Sequence, residues 1–196
     1  MIHPDTELKV VDQKRGRGIF ATEQIPKGTI TYVKDPLEIE IEPGDPRLQN
    51  ADIKDEIETY TYINENGTRI LSWDNAKYVN HCCHCNTMST GYGFEIAICD
   101  INAGEEITDE YGMFNFDYTL ELSCKKADCR KTVSGSDLET KYREWDSKVR
   151  SALKCINAVN QPLITLLDEQ TRKNLQKYLD SGKEYCSVLN LRFTQK

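Results

Sequence analysis

Up to about residue 135 the apolar positions come in short clusters separated by turn residues, a pattern of strands rather than helices. Leu8-Lys9-Val10-Val11 predicts a strand ending at Asp12, and Ile19-Phe20-Ala21 forms an apolar run behind Gly16 and Gly18. Thr29-Ile30-Thr31-Tyr32-Val33 is alternating and β-branched, so it reads as a strand closed by Lys34-Asp35-Pro36. Asn50 is placed to cap a short helix whose Ile53, Ile57 and Tyr60 share one face. Tyr60-Thr61-Tyr62-Ile63 and Thr68-Arg69-Ile70-Leu71 flank Asn66-Gly67, a strong signal for a two-residue hairpin turn. Beyond residue 135 the period changes. Leu138, Tyr142, Trp145, Val149, Ala152 and Ile156 recur at four-three spacing with charges between them, which predicts an amphipathic helix. Pro162 suits the first turn of another helix holding Leu163, Leu166 and Leu167. Further apolar spacing at Leu175, Tyr178 and Leu179 runs to a stop at Ser181-Gly182. This tail is expected to pack on the domain or to mediate self-association, and no chemistry is legible in it.

At 196 residues the chain has room for one well-buried domain and an extension. A formal charge of −7 with 29% charged residues excludes a basic nucleic-acid footprint and favours a basic partner over DNA. No apolar run approaches the roughly 20 residues of a membrane span. The first residues lack a signal-peptide pattern, so an intracellular location, cytoplasmic or nuclear, is expected. Residues 34–58 carry nine acidic side chains against Lys34, Arg47 and Lys54. That run reads either as solvated surface or as a field steering a basic substrate. Of eight cysteines three crowd into Cys82, Cys83 and Cys85, where mutual bridging is geometrically poor, so reduced thiols or metal ligands fit better than disulfides. Gly16-Arg17-Gly18-Ile19-Phe20-Ala21 also satisfies the dinucleotide fingerprint, but that motif needs a helix next, whereas residues 23–29 read as a turn.

Polar groups concentrate in two apolar contexts: Tyr78-Val79-Asn80-His81-Cys82-Cys83-His84-Cys85-Asn86, and Gly104-Glu105-Glu106-Ile107-Thr108-Asp109-Glu110-Tyr111-Gly112. Buried polar groups need partners or a function. Together with Arg15-Gly16-Arg17-Gly18-Ile19-Phe20-Ala21 upstream, and in this order, these segments resemble the three signatures of the SET domain, the family of protein-lysine methyltransferases that use S-adenosylmethionine. The resemblance spans about residues 8–135.

The resemblance implies a mainly β fold of short strands and small sheets, with a pseudoknot-like C-terminal crossing and a helical C-terminal extension. It divides the chain into a SET domain over residues 1–120, a cysteine segment like the post-SET region over 121–135, and a helical extension over 136–196. The implied activity is transfer of a methyl group from S-adenosyl-L-methionine to a lysine amine of a protein substrate, basic or histone-like. Tyr111 matches the catalytic tyrosine, whose hydroxyl orients the amine. Gly16, Arg17, Gly18, Asn80 and His81 match cofactor contacts, with glycine leaving room for the methionine moiety. Tyr78 matches an aromatic position lining the cofactor or lysine channel, and Asn86 is expected to secure the crossing.

Two departures stand out. Asp109 occupies a position where the family often has Tyr or Phe and which is associated with the number of methyl groups added, so the product state is not readable. The family's terminal C-x-C-x4-C segment shares one zinc with a cysteine of the Asn-His block, but here only Cys124 and Cys129 remain beside Cys83. The set is one ligand short of the usual four unless Cys82, His84 or Cys85 joins it, and buried thiols are the other reading. Both departures keep a second function open, a SET-fold interaction module without catalysis. A Cys-His hydrolase fails on context, because His81 and Cys82 are sequence neighbours with no helix-start nucleophile signal.

Overall fold

The computed structural model describes residues 1–122 and 127–194. In chain order the strands are β1 (Thr6–Asp12), β2 (Gly16–Ala21), β3 (Ile30–Val33), β4 (Ile39–Ile41), β5 (Thr61–Ile63), β6 (Arg69–Leu71), β7 (Asn80–His81), β8 (Thr87–Ser89), β9 (Phe94–Ala97), β10 (Glu106–Asp109), β11 (Thr119–Glu121) and β12 (Thr132–Ser134). The helices are α1 (Lys54–Tyr60), α2 (Asp137–Leu153) and α3 (Glu169–Ser181). The strands form four small sheets, ordered β1-β2-β10-β7, β3-β9-β8, β4-β6-β5 and β11-β12. The fold class is therefore mainly β with helices at the C-terminal end, as the sequence pattern and the resemblance both indicate.

Alternation dictates which side chains fill the core. In β2, Ile19 and Ala21 point inward and join Ile25, Ala97, Ile101 and Ile107 in one apolar cluster. In β9, Phe94 and Ile96 face a second and larger cluster, which Trp145, Val149, Leu153, Leu163 and Leu175 complete from the C-terminal region. Trp145 is 1% exposed. The tail thus packs on the β3-β9-β8 sheet, and of the two fates expected for it, docking on the domain is the one realised within the chain. Gln161 locks the junction: its amide nitrogen donates to the carbonyls of Gly28 and Ile156, and its oxygen accepts from the Ile30 amide at the edge of β3.

Three local expectations need correction. The hairpin between β5 and β6 does not turn on Asn66-Gly67 alone. The Asn64 carbonyl accepts from the Gly67 amide, so Glu65 and Asn66 are the central residues and only Gly67, at φ +83°, is left-handed. The Asn64 side chain accepts from the amides of Asn66 and Thr68, and this bonding favours the longer loop. Pro162 does not begin an α-helix: residues 164–166 make a single 3-10 turn, and Leu163 and Leu167 are buried on either side of it. The helix after it, α3, begins instead at Asp168, whose carboxylate accepts from the Thr171 amide and hydroxyl. Asn50 does sit before α1, but its side chain bonds the Asp52 amide while its carbonyl receives Lys54, and Ile57 alone of the three apolar residues is buried. After β2 the chain makes a turn with Gly28 at φ +94° and no helix, which removes the dinucleotide reading.

Candidate functional site

The polar segment before residue 86 is shaped by its neighbours in sequence. Asp74 caps a 3-10 turn at Asn75–Tyr78 through the Ala76 amide, and Val79 is extended, so the chain enters β7 directly. Asn80 and His81 then pair in parallel with Thr108 and Asp109 of β10. Asn86 fixes this crossing from below. Its amide nitrogen donates to the Glu106 carbonyl at 2.8 Å and its oxygen accepts from the Thr108 amide at 2.8 Å. The Thr87 hydroxyl adds a bond to the Thr108 carbonyl.

Leaving β10, the chain tightens into a 3-10 turn at Tyr111–Met113, with the Glu110 carboxylate accepting from the Gly112 amide. Tyr111 is thereby held twice against the other segment. Its backbone N–H donates to His81 Nδ1 at 3.1 Å and its hydroxyl donates to the Val79 carbonyl at 2.6 Å. Its ring lies 5.3 Å from that of Phe114, which stacks in turn on Tyr62 at 5.5 Å.

A cavity of about 1440 Å³ runs beside these groups. Asn80, His81 and Tyr111 line it, together with Arg15, Tyr32, Glu58, Tyr62, Glu95, Asp109 and Phe114, among others. Gly16, Arg17, Gly18 and Tyr78 are not among the lining residues. Gly16, at φ +70°, has open space where a side chain would project. Gly18 is different: an added Cβ would lie 2.6 Å from Val11 Cγ2, 2.8 Å from Glu106 Oε1 and 2.9 Å from Asn80 Nδ2, so the chain's own side chains use that room. Asn80 donates to the Arg17 carbonyl and to Glu106, whose other oxygen pairs with Arg15 at 3.0 Å. Tyr78 packs edge-on against Tyr60 and sits beneath the cationic heads of Arg17 and Lys77.

Electrostatics settle several protonation states. Burial, reinforced by the Arg130 charge, brings His81 down to about 4, so the ring is neutral near pH 7. Its 3.8 Å approach to Glu110 is therefore not an ion pair; Glu110 pairs with Arg130 at 2.5 Å. Burial first, and then the Asp109 and Glu95 charges, push Tyr111 upward, so its phenol stays protonated. Burial also raises Glu95 to about 7 and puts Asp109 well above the usual carboxylate range. Sequence reading passed over Glu95, Tyr62 and Phe114. The alternation of β9, with Phe94 and Ile96 inward, is the signal that a charged residue stands on the other face.

The cysteines come together only in part. Cys83 Sγ lies 3.8 Å from Cys129 Sγ, while Cys124 falls outside the described residues. His81 Nε2 is 3.6 Å from Cys83 Sγ. Because Nδ1 accepts the Tyr111 N–H, the neutral ring carries its proton on Nε2, which is then a donor and not a ligand. Among the described residues no group of three or more His, Cys, Asp and Glu is arranged for a metal ion, and two sulfurs are half of what structural zinc requires. No zinc site is assigned.

The class of protein follows from the fold and the convergence of the two polar segments. Residues 16–112 match the model of the SET domain, so that stretch of the chain is a SET domain. No curated protein matches it by sequence. Among solved structures it is similar to a Plasmodium falciparum protein described as a candidate histone methyltransferase, at 18% identity and a TM-score of 0.40, over 56% of this chain and 95% of that one. It is also similar to KRYPTONITE, solved with mCHG DNA and SAH, at 19% identity and a TM-score of 0.44, covering 65% and 29% of the two chains. The methyltransferase domain of human histone-lysine N-methyltransferase SETMAR gives 14% identity and a TM-score of 0.42, with 68% and 58% covered. At this distance the substrates of those proteins do not transfer.

Proposed function

We propose that the chain is a protein-lysine N-methyltransferase that uses S-adenosyl-L-methionine and acts on a basic protein. The observation that carries this reading is the pair of bonds from Tyr111 to Val79 and His81, which puts a phenol beside the Asn80-His81 segment in one cavity. Methyl transfer to an amine asks chiefly for positioning, an acceptor-lined site and exclusion of water. The phenol proton is held by the Val79 carbonyl, so the oxygen's lone pairs remain to accept an N–H from an incoming amine. Tyr62, Phe114 and Tyr111 supply aromatic walls that disfavour a hydrated ammonium.

The cavity fits the cofactor in chemistry as well as in room. Arg15 lines it and pairs there with the carboxylates of Asp12 and Glu106, a pairing that the methionine carboxylate would take over. Arg15, Asn80 and His81 are the residues that would hold S-adenosylmethionine, which supplies an electrophilic sulfonium methyl when bound. Glu58, from the acidic stretch, lines the cavity, and this supports the steering of a basic substrate.

The alternative, a SET-fold interaction module, is favoured by one observation, Asp109 buried where the family often has an aromatic residue. The two readings part on a simple test. Protein extract treated with the chain and heavy-methyl S-adenosylmethionine should show labelled lysine by mass spectrometry. No label from any extract, with no calorimetric binding of the cofactor, would leave the module.

A further inference from the structure

We propose that the Glu95–Asp109 carboxyl pair accepts the proton that the target ammonium sheds before methyl transfer. The inference rests on the methyltransferase reading and adds to it a group that the Asn-His and tyrosine signatures do not contain.

A lysine amine titrates at about 10.4 in water and must arrive at the sulfonium with a free lone pair. A proton acceptor is needed, and the groups nearest Tyr111 do not provide one. The phenol's proton is engaged by Val79, and its ionisation is pushed up by burial and by the two carboxyls. The His81 ring spends Nδ1 on the Tyr111 amide. Glu110 is paired with Arg130.

Glu95 and Asp109 reach the same cavity from two sheets. Phe94 and Ile96 face the core at 1% and 0% exposure, so β9 turns Glu95 to the cavity side. Asp109 ends β10 at 1% exposure and also lines the cavity. Its Oδ1 accepts the Glu110 amide at 2.7 Å, and its Oδ2 is buried with no hydrogen-bond partner among the described residues. An orphaned carboxylate oxygen in such a place is costly. Glu95 lines the same cavity, its charge raises Asp109 further, and two carboxyls in one buried site favour holding a proton between them. The pair is thus built to hold a proton and to exchange it. The titratable groups that interact electrostatically with it are Tyr62, Tyr111, Cys85, Glu110 and the Met1 ammonium.

The step balances without a further reagent. An N–H bond of the ammonium breaks, the nitrogen keeps the electron pair, and an O–H bond forms on the carboxyl pair. The amine is then neutral, and the pair returns its proton to water after the product leaves. The gap between about 10.4 for the amine and about 7 for Glu95 is a little over three units. Burial has already brought Glu95 up, and it lowers a buried amine by up to about 3–5 units, so the cavity closes the remaining gap from the amine's side.

The test has two arms. In cofactor-free protein labelled with carbon-13 at its carboxyl groups, and at pH 8, saturating n-butylammonium should move the Glu95 signal to the protonated position; Glu95→Gln and Asp109→Asn assign the resonances. A signal that stays at the ionised position overturns the proposal. In the methyl-transfer assay Glu95→Gln should slow single turnover at least tenfold at pH 7, with the deficit closing toward pH 10, where the amine arrives deprotonated. A deficit constant across pH, or none, also overturns it. Failure of the wild-type chain to transfer a methyl group at any pH would sink the methyltransferase reading instead, and the carbon signal would still decide whether the pair takes the proton.

Discussion

Tyr111 is fixed by two hydrogen bonds, one from its amide and one from its hydroxyl, and the second can be removed alone. Tyr111→Phe should cost stability only about 1 kcal/mol, the usual net worth of one hydrogen bond. Urea unfolding checks this; a loss above about 3 kcal/mol would mean that the hydroxyl is chiefly structural. Glu95 gives a pH-dependent prediction of opposite character. Its carboxyl ordinarily titrates at 4.5 and is raised to about 7 by burial. Between those values the folded chain holds a proton that the unfolded chain releases, so the associated stability is present below pH 4.5 and is lost as pH rises through about 7. Glu95→Gln should therefore gain on the wild type between pH 5 and pH 8, by a few degrees of melting temperature, at about 2–4 °C per kcal/mol for a chain of this size. An identical difference at both pH values would contradict the buried-carboxyl account. These two residues also mark how far the site was legible. Tyr111, Asn80 and His81 lie in short ordered motifs, which sequence displays directly. Glu95 carries no motif; it matters because another strand brings Asp109 to it, and that meeting exists only in the fold.

At the scale of elements, Asn86 holds β10 to the loop beneath it through three bonds, two from its side chain and one from its backbone amide. Asn86→Ala leaves the Thr108 amide and the Glu106 carbonyl without their side-chain partner. At about 1–3 kcal/mol for a buried unsatisfied group, it should destabilise the fold by several kcal/mol in chemical denaturation. A change under about 1 kcal/mol would show that the crossing is held elsewhere. Sequence patterning located the strands β1, β2, β3, β5 and β6 from short apolar clusters bounded by turn residues, and the helix α2 from the one face it buries. It failed at Asn66-Gly67, where the Asn64 side chain selects a longer loop, and at Pro162, where Leu163 and Leu167 are needed on opposite sides of a turn too short for a helix. In both places a local bond or a packing demand outweighs the intrinsic preference of the residue type.

Across the molecule, the tail and the β3-β9-β8 sheet share a single core, so the C-terminal helices pack on the sheet that carries Glu95. Asp146 of α2 ties the last segment back by accepting from Tyr185, Ser187 and the Val188 amide. Gly91 meets that segment so closely that an added Cβ would lie 2.2 Å from the Ser187 carbonyl oxygen. Trp145→Ala should cost about 3–5 kcal/mol and lower a single calorimetric transition that includes the site. Two separate transitions would mean that the tail melts on its own. Periodicity identified the tail as a helical region but not as half of the core, because an apolar helix face does not name the surface that covers it.

The central claim is that two distant segments converge so that the Tyr111 phenol aims a lysine nitrogen at a bound methyl donor. The most direct test compares methyl transfer to a lysine-containing protein by the wild-type chain and by folded Tyr111→Phe, both saturated with S-adenosylmethionine. The account predicts transfer by the wild type and a fall of about two orders of magnitude or more in the variant, in line with the loss of one preorganised group at a reacting centre. Equal rates in the two proteins would contradict it.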